Sequence, residues 1–347
     1  MPNVAIVGCG NMAGGYVRAF ETLRSRARVA ALVDLDEAKA RAAAEKFEGA
    51  EAATDYRAVL DKVDAVMLVL PHHLHHPVGM ACLAAGKHVL MEKPLANSEQ
   101  ECLDLIAASR KAQRVLMTAY CMRFHPLVVR LKELVDAKAY GDVFQLSIWT
   151  EQHTQYPPGH WATDARLLGG GQLFSHGCHY IDLLLWFLGR PVEGVHAGTN
   201  YGTPWMEKEG TSNVVMKFES GALGYHFGTW GAKGTRLGYS FHAHCTEGMI
   251  EAQISKGKLI AHPDRSTDPE RLADPDAREV VLLESPLGKH VGNEIVHFFD
   301  CIENGTRPLT DGPSSLQGLR VIWRLYDAEQ RGGLADLRGL GLDEGVS

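Results

Sequence analysis

The first 120 residues alternate short apolar runs with helical patterns, and that alternation restricts the fold more than any other feature of the chain. The runs Val4 to Val7, Val29 to Val33, Ala65 to Leu70, His88 to Met91 and Val115 to Thr118 are continuous in hydrophobicity rather than alternating. Strands of that kind are buried on both faces and imply a parallel sheet. Helical patterns fill the gaps at Ala13 to Leu23, Glu37 to Phe47, His75 to Ala85 and Glu99 to Arg114, the last opening with Ser98 and Glu101 in capping-box spacing. Residues 1–120 are therefore expected to form a doubly wound α/β domain.

After Tyr120 the pattern changes. A helix at Pro126 to Val135 leads into strand-like segments at Val143 to Trp149, Val214 to Glu219, Ala222 to Trp230, Leu237 to Cys245 and Glu247 to Ile254, with turns such as Ser220-Gly221 between them. Such spacing predicts an antiparallel sheet. Helices are expected at Gly177 to Leu188, Asn293 to Glu303 and Ser314 to Arg331, and residues 121–331 read as a second domain. The glycine-rich tail from Gly332 to Ser347 reads as mobile. At 347 residues the chain exceeds one compact core, and 45% hydrophobic with 22% charged residues is the balance of a globular enzyme.

A net charge of −7 argues against nucleic acid or an anionic membrane as partner. No stretch is apolar for long enough to span a bilayer, and the chain enters its first strand at Val4 without room for a secretory signal, so a cytoplasmic setting is expected. Seven cysteines, scattered singly and without a C-x-x-C pair, read as reduced thiols, with Cys178 a packed small residue.

The turn Gly8-Cys9-Gly10-Asn11-Met12-Ala13 matches G-x-G-x-x-A directly after a strand and before a helix. Gly8 permits the tight turn, Gly10 lets backbone approach a pyrophosphate, Ala13 allows close helix packing, and the helix amino end favours the phosphate charge. Asp34 closes the second strand about twenty residues beyond, where a carboxylate accepts from the adenosine ribose hydroxyls. It would repel a 2′-phosphate, and no basic residue follows before Lys39, so NAD is favoured over NADP. The competing role for Asp34 is a helix amino cap.

Downstream, Val89-Leu90-Met91 runs into Glu92-Lys93-Pro94. Proline fixes its own backbone and keeps Lys93 out of the helical region, so an ammonium stands on extended chain at a strand's carboxyl end, the edge where α/β sheets bind ligands. Moving hydride between a secondary alcohol and nicotinamide needs a base near the hydroxyl and positive charge near the developing alkoxide. Lys93 and His179 meet that description. Histidines also crowd His72-His73-Leu74-His75-His76; His72 and His76 stand i, i+4, but Pro71 sets them in a loop and no cysteine or fixed carboxylate completes a set, so no metal is expected.

The fingerprint at Gly8, the ending Lys87 to Pro94, Arg123-Phe124-His125-Pro126, the stretch Gly169-Gly170-Gly171-Gln172-Leu173 through His179-Tyr180-Ile181-Asp182, and the closing Glu294-to-Phe299 helix resemble the glucose-fructose oxidoreductase, inositol dehydrogenase and MocA family over nearly the whole chain. The resemblance implies an amino-terminal Rossmann domain, a carboxyl-terminal α/β domain with an open, mostly antiparallel sheet used in homodimer or homotetramer contacts, and an active site between the two. It implies His179 as acid/base and Lys93 as the group hydrogen-bonded to the reacting oxygen, with Asn11 and Met12 in the fingerprint, Pro71 and His75 beside the cofactor, and Glu92 and Arg123 seating lysine and cofactor. Tyr156-Pro157-Pro158-Gly159-His160-Trp161 looks like a mobile substrate loop, in which Tyr156, His160 and Trp161 suit a pyranose face, the equal alternative for Trp161 being to pack the domain interface.

One departure stands out. Many polyol dehydrogenases of the family carry an aspartate where this chain has Ser175, four residues before His179. Serine cannot stabilise an imidazolium by charge. His176 offers an additional proton carrier, and Asp182, one turn beyond His179, either replaces the carboxylate or makes a buried packing contact. The expected function is an NAD-dependent dehydrogenase acting on a ring secondary alcohol of a sugar, sugar derivative or cyclitol. The alternatives are an NAD-cycling glycoside hydrolase or lyase, and a non-catalytic NAD or sugar sensor.

Overall fold

A computed structural model describes residues 1–263, 279–288 and 290–342. It divides into two compact units: Met1–Cys121 with Arg166–Gly169 and His290–Leu316, and Met122–Ala165 with Gly170–Lys289 and Gln317–Ser347.

In the first unit, β1 (Asn3–Val7), β2 (Arg28–Val33), β3 (Glu51–Ala53), β4 (Ala65–Leu68), β5 (His88–Met91) and β6 (Leu116–Thr118) form one parallel sheet in the order β3-β2-β1-β4-β5-β6. The order reverses between β1 and β4, the switch point of a doubly wound fold. Burial explains the continuous runs: Val4, Ala5 and Ile6 of β1 and all four residues of β4 are inaccessible to solvent, and each fully buried large side chain contributes roughly 1.5–3 kcal/mol. Helices α1 (Ala13–Thr22), α2 (Glu37–Ala44), α3 (His75–Ala84) and α4 (Glu99–Ala112) connect the strands. At α4 the capping box forms as its spacing predicts, Ser98 accepting from Glu101 N and Glu101 from Ser98 N. Strand β3 lacks a sequence signal, because Glu51-Ala52-Ala53 carries no β-branched or aromatic residue.

In the second unit, β7 (Val143–Glu151), β8 (Pro191–Thr199), β9 (Thr211–Phe218), β10 (Leu223–Thr229), β11 (Tyr239–Cys245), β12 (Gly248–Gln253), β13 (Lys258–Pro263), β14 (Val280–Glu284) and β15 (Ala335–Asp336) form a nine-stranded sheet in the order β14-β13-β12-β11-β7-β10-β9-β8-β15. It is mixed: β7 and β10 run parallel, and every other pairing is antiparallel. Strand β8 begins at a proline and contains Gly194 and Gly198, which hides it from a propensity reading.

The tail differs from its expected mobility. Ala335 and Asp336 pair with Gly194 and Glu193 of β8, and Ala335, Leu337 and Leu340 are buried, so apolar side chains between the glycines dock it. Residues 343–347 of that segment lie outside the described residues. Among the described residues no helix is long and apolar enough to cross a membrane. None of the seven cysteines forms a disulfide, and Cys178 is fully buried with its thiol donating to Ser175 O.

Candidate active site

Gly8 adopts φ +98°, and a Cβ there would fall 2.1 Å from Val69 O, so the turn after β1 admits only glycine. Gly10 is the opposite case: nothing lies within 4 Å of the position a Cβ would take. Helix α1 starts beside that open space with Met12 at its amino cap, and Met12 gives no side-chain hydrogen bond to the orphan amides. Asn11 and Met12 are exposed. Open space, uncapped N–H groups and the helix dipole together fit a dinucleotide pyrophosphate.

Asp34 is not the helix cap. Its Oδ2 accepts from Cys9 N at 2.8 Å and its Oδ1 from Asp36 N at 2.9 Å, while Asp36 caps α2 by accepting from Ala38 N and Lys39 N. The carboxylate thus pins the glycine turn to the end of β2. Cys9 is no nucleophile, because burial and the Asp34 charge push its thiol up to about 11.

Glu92 and Lys93 follow β5, and the Lys93–Pro94 peptide is cis. Tyr16 of α1 donates to Glu92 Oε1 at 2.9 Å and lies 3.5 Å from Glu294 Oε1, while Glu92 Oε2 accepts from Lys93 N. Burial first, then these two carboxylates, push the Tyr16 hydroxyl well above its ordinary value, so it stays a donor. Tyr16 went unrecognised in the sequence because nothing local links it to Glu92. His75 is fully buried; its Nδ1 meets Pro94 O at 2.7 Å and its Nε2 meets Leu70 O at 2.9 Å, tying the Lys93-Pro94 turn to the loop of Pro71 after β4. Burial keeps the His75 ring below its ordinary pKa. His72 Nδ1 meets Leu168 O at 2.8 Å. Among the described residues no group of three or more His, Cys, Asp or Glu is placed to hold a metal ion.

In the second unit the helix Cys178–Leu188 is preceded by a π-helical turn, Leu173–Gly177, so helical chain starts earlier than the sequence suggests. The glycines at 169, 170, 171 and 177 argue against helix when read locally. Ser175 and His176 sit in this turn and His179 in the first turn after it; all three are buried, and the His176 and His179 rings meet edge to face at 6.0 Å. His176 Nε2 lies 3.2 Å from the Tyr239 hydroxyl.

Asp182 makes a buried contact within the second unit. Arg123 forks onto it, Nε to Oδ2 at 2.7 Å and a second guanidinium nitrogen to Oδ1 at 2.8 Å, with both side chains almost fully buried and the guanidinium 5.1 Å from the Trp186 ring. Burial raises the Asp182 carboxyl against this opposing charge. Arg123, expected beside lysine and cofactor, is therefore seen as the partner of Asp182.

Tyr156, His160 and Trp161 join an aromatic cluster that includes two tryptophans remote from them in sequence, Trp205 and Trp230. Tyr156 stacks on His160 at 4.3 Å and meets Trp205 and Trp230 edge-on at 5.6 and 6.3 Å. Trp205 and Trp230 stack at 6.2 Å, and His160 meets Trp161 at 5.6 Å.

Beneath this helix lies His226 of β10, inaccessible to solvent, stacked on Tyr180 at 5.1 Å and hydrogen-bonded through Nε2 to Thr150. Burial pushes its pKa down to about 3 from 6.5. The unfolded chain therefore binds a proton below about 6.5 that the folded chain refuses until about 3, so stability present above this window is lost as pH falls through it. Urea midpoints between pH 7.5 and pH 5 should fall, and His226→Gln should flatten the dependence; an unchanged slope rules the assignment out.

A doubly wound domain with this glycine turn and strand-end carboxylate defines a dinucleotide-binding protein. Residues 2–120 match the model described as oxidoreductase family, NAD-binding Rossmann fold, and residues 128–251 match the GFO/IDH/MocA C-terminal domain. The chain is 31% identical over 322 residues to D-xylose 1-dehydrogenase (NADP(+)) 2 of Haloferax volcanii, covering 90% of this chain and 93% of that one. It is 32% identical over 226 residues to inositol 2-dehydrogenase 2 of Saccharopolyspora erythraea, a match spanning 64% of each. In fold it superposes on levoglucosan dehydrogenase in complex with NADH and levoglucosan with a TM-score of 0.85, at 21% identity, covering 97% of this chain and 99% of that one. This chain belongs to the Gfo/Idh/MocA family of NAD-binding oxidoreductases and is a dehydrogenase by class.

Proposed function

We propose that this dehydrogenase oxidises a ring secondary alcohol of a sugar, sugar derivative or cyclitol, or reduces the corresponding ketone, with NAD as the preferred cofactor. The observation that carries the reading is the glycine turn: open space at Gly10, an uncapped α1 and Asp34 beside it. Gly8, Gly10, Asn11, Met12 and Asp34 would hold the dinucleotide, whose nicotinamide exchanges hydride with the substrate carbon when bound. The names of the xylose and inositol relatives support the substrate class.

On this reading His179 takes the hydroxyl proton and Lys93 supplies positive charge to the developing alkoxide. Glu92, clamped by Tyr16, fixes the chain entering Lys93. Tyr156, His160, Trp161 and their tryptophan neighbours offer apolar faces for a pyranose. Pro71 and His75 line the cofactor side, and Arg123 is held in place by Asp182. The open sheet suits a homodimer or homotetramer.

Ser175 favours one second reading, in which tightly held NAD oxidises the sugar transiently and is regenerated, giving hydrolysis or elimination. A screen of aldoses, uronates, amino sugars and inositols with NAD and NADP, followed at 340 nm, decides between them. Net NADH formation supports the dehydrogenase, and product release without net NADH supports the cycling enzyme. Asp34→Ala should relax the preference for NAD by about tenfold, the scale of one charge-assisted hydrogen bond; a wild-type preference for NADP would sink the Asp34 argument.

A further inference from the structure

The helix bearing Ser175, His176 and His179 begins without a cap of its own, since Gln172 at its amino cap makes no side-chain hydrogen bond there. The first amides of a helix need acceptors from elsewhere. Two residues remote in sequence provide them. Gly171 N and Phe174 N both donate to the Tyr326 hydroxyl at 3.2 Å, Leu173 N donates to Glu209 Oε1 at 3.2 Å, and Gln172 N donates to Glu209 O at 2.7 Å. The pair is closed by the Tyr326 hydroxyl donating to Glu209 Oε1 at 2.5 Å. Glycine at 171 makes room, because a Cβ there would stand 2.1 Å from the Glu209 carboxylate.

Burial drives both pKa values up, so the tyrosine remains a donor with its oxygen open to the two amides. Immediately beyond the cap the chain makes its π turn, a helical form rarely stable alone and often found at functional sites. The helix Cys178–Leu188 is held separately by its apolar residues, Ile181, Leu183, Leu184 and Leu185, all buried. Loss of the cap would therefore leave that helix in place and release the turn. Each residue of α-helix turns about 100°, so a one-residue change of register would carry Ser175 and His176 away from His179.

We propose that Glu209 and Tyr326 are positioning residues, a remote cap that holds the π turn and fixes the surroundings of His179. The proposal rests on the reading of His179 as the acid/base group. Its test uses the full chain with Tyr326→Phe, Glu209→Ala, Glu209→Gln and Glu209→Asp, measuring kcat, KM and pH profile on a sugar found in the screen. Histidine resonances of protein labelled at the imidazole carbon are followed alongside, with His179 assigned by His179→Asn.

Tyr326→Phe and Glu209→Ala should lower kcat per folded molecule on the order of a hundredfold, the cost of a shift near 1 Å at a reacting group. KM should change little, the pH limb assigned to His179 should move, and its resonance should shift. Glu209→Gln, which keeps the acceptor oxygen, should restore most of the rate. If Tyr326→Phe does not fold, Glu209→Asp carries the same expectation, because it withdraws the oxygen by one methylene. A fall in Tm alone, with kcat, pH limb and resonance unmoved, would overturn the proposal. Should the wild-type chain turn over no sugar, the enzymatic reading fails by itself, and the His179 resonance still decides for or against the cap.

Discussion

Lys93→Met is expected to retain NAD binding and to lower turnover on the order of a thousandfold, since removing one donor from a developing oxyanion costs about that much. Methionine preserves the length and apolar stem of lysine while deleting the ammonium. NAD affinity should hold because the groups that fit the dinucleotide, Gly8, Gly10 and Asp34, belong to the β1 turn and the end of β2, not to the turn after β5. Binding measured by quenching of NADH fluorescence and turnover measured at 340 nm separate the two effects. Near-normal turnover would remove Lys93 from the chemistry; lost NAD binding would make it a cofactor residue instead.

The largest stability effect should come from the Arg123–Asp182 pair. Asp182→Ala removes the carboxylate that forks onto a guanidinium only 2% exposed, and breaking a buried pair in this way costs about 3–5 kcal/mol. Replacing both members by apolar residues of similar size, Arg123→Met with Asp182→Leu, should recover most of the loss. Urea unfolding of wild type, both single variants and the double variant gives the coupling. A double variant no more stable than Asp182→Ala would mean that the guanidinium matters for its other neighbours, Trp186 among them, more than for this carboxylate.

The parallel sheet was readable because β1 and β4 are buried on both faces and show it in unbroken apolar runs. The place of Lys93 just beyond a strand was readable because Glu92-Lys93-Pro94 follows directly on an unbroken apolar run. Asp34 left two roles open, and the structure removes one: Asp36 takes the cap of α2, while Asp34 accepts from Cys9 N in the glycine turn. Other features were hidden for a common reason. Tyr16 with Glu92, Arg123 with Asp182 and Glu209 with Tyr326 are pairings between positions far apart in the chain, and no local spacing marks them. Strand β8 hid behind its own proline and glycines, although the sheet accepts it through backbone hydrogen bonds that need no side chain. The π turn was obscured by glycines, one of which, Gly171, is required by the carboxylate packed against it.

The place of β7 in the sheet carries a consequence for how the chain is made. Its two neighbours are β10, parallel to it, and β11, and both are translated long after β7 itself. No hairpin can shelter it in the meantime, so at the ribosome its edges stay open until β8, β9 and β10 have emerged. A strand with Leu146, Ile148 and Trp149 waiting in that state is a nucleus for mispairing. Slow, chaperone-sensitive maturation of the second unit is the expected consequence of building its sheet around a strand that arrives first.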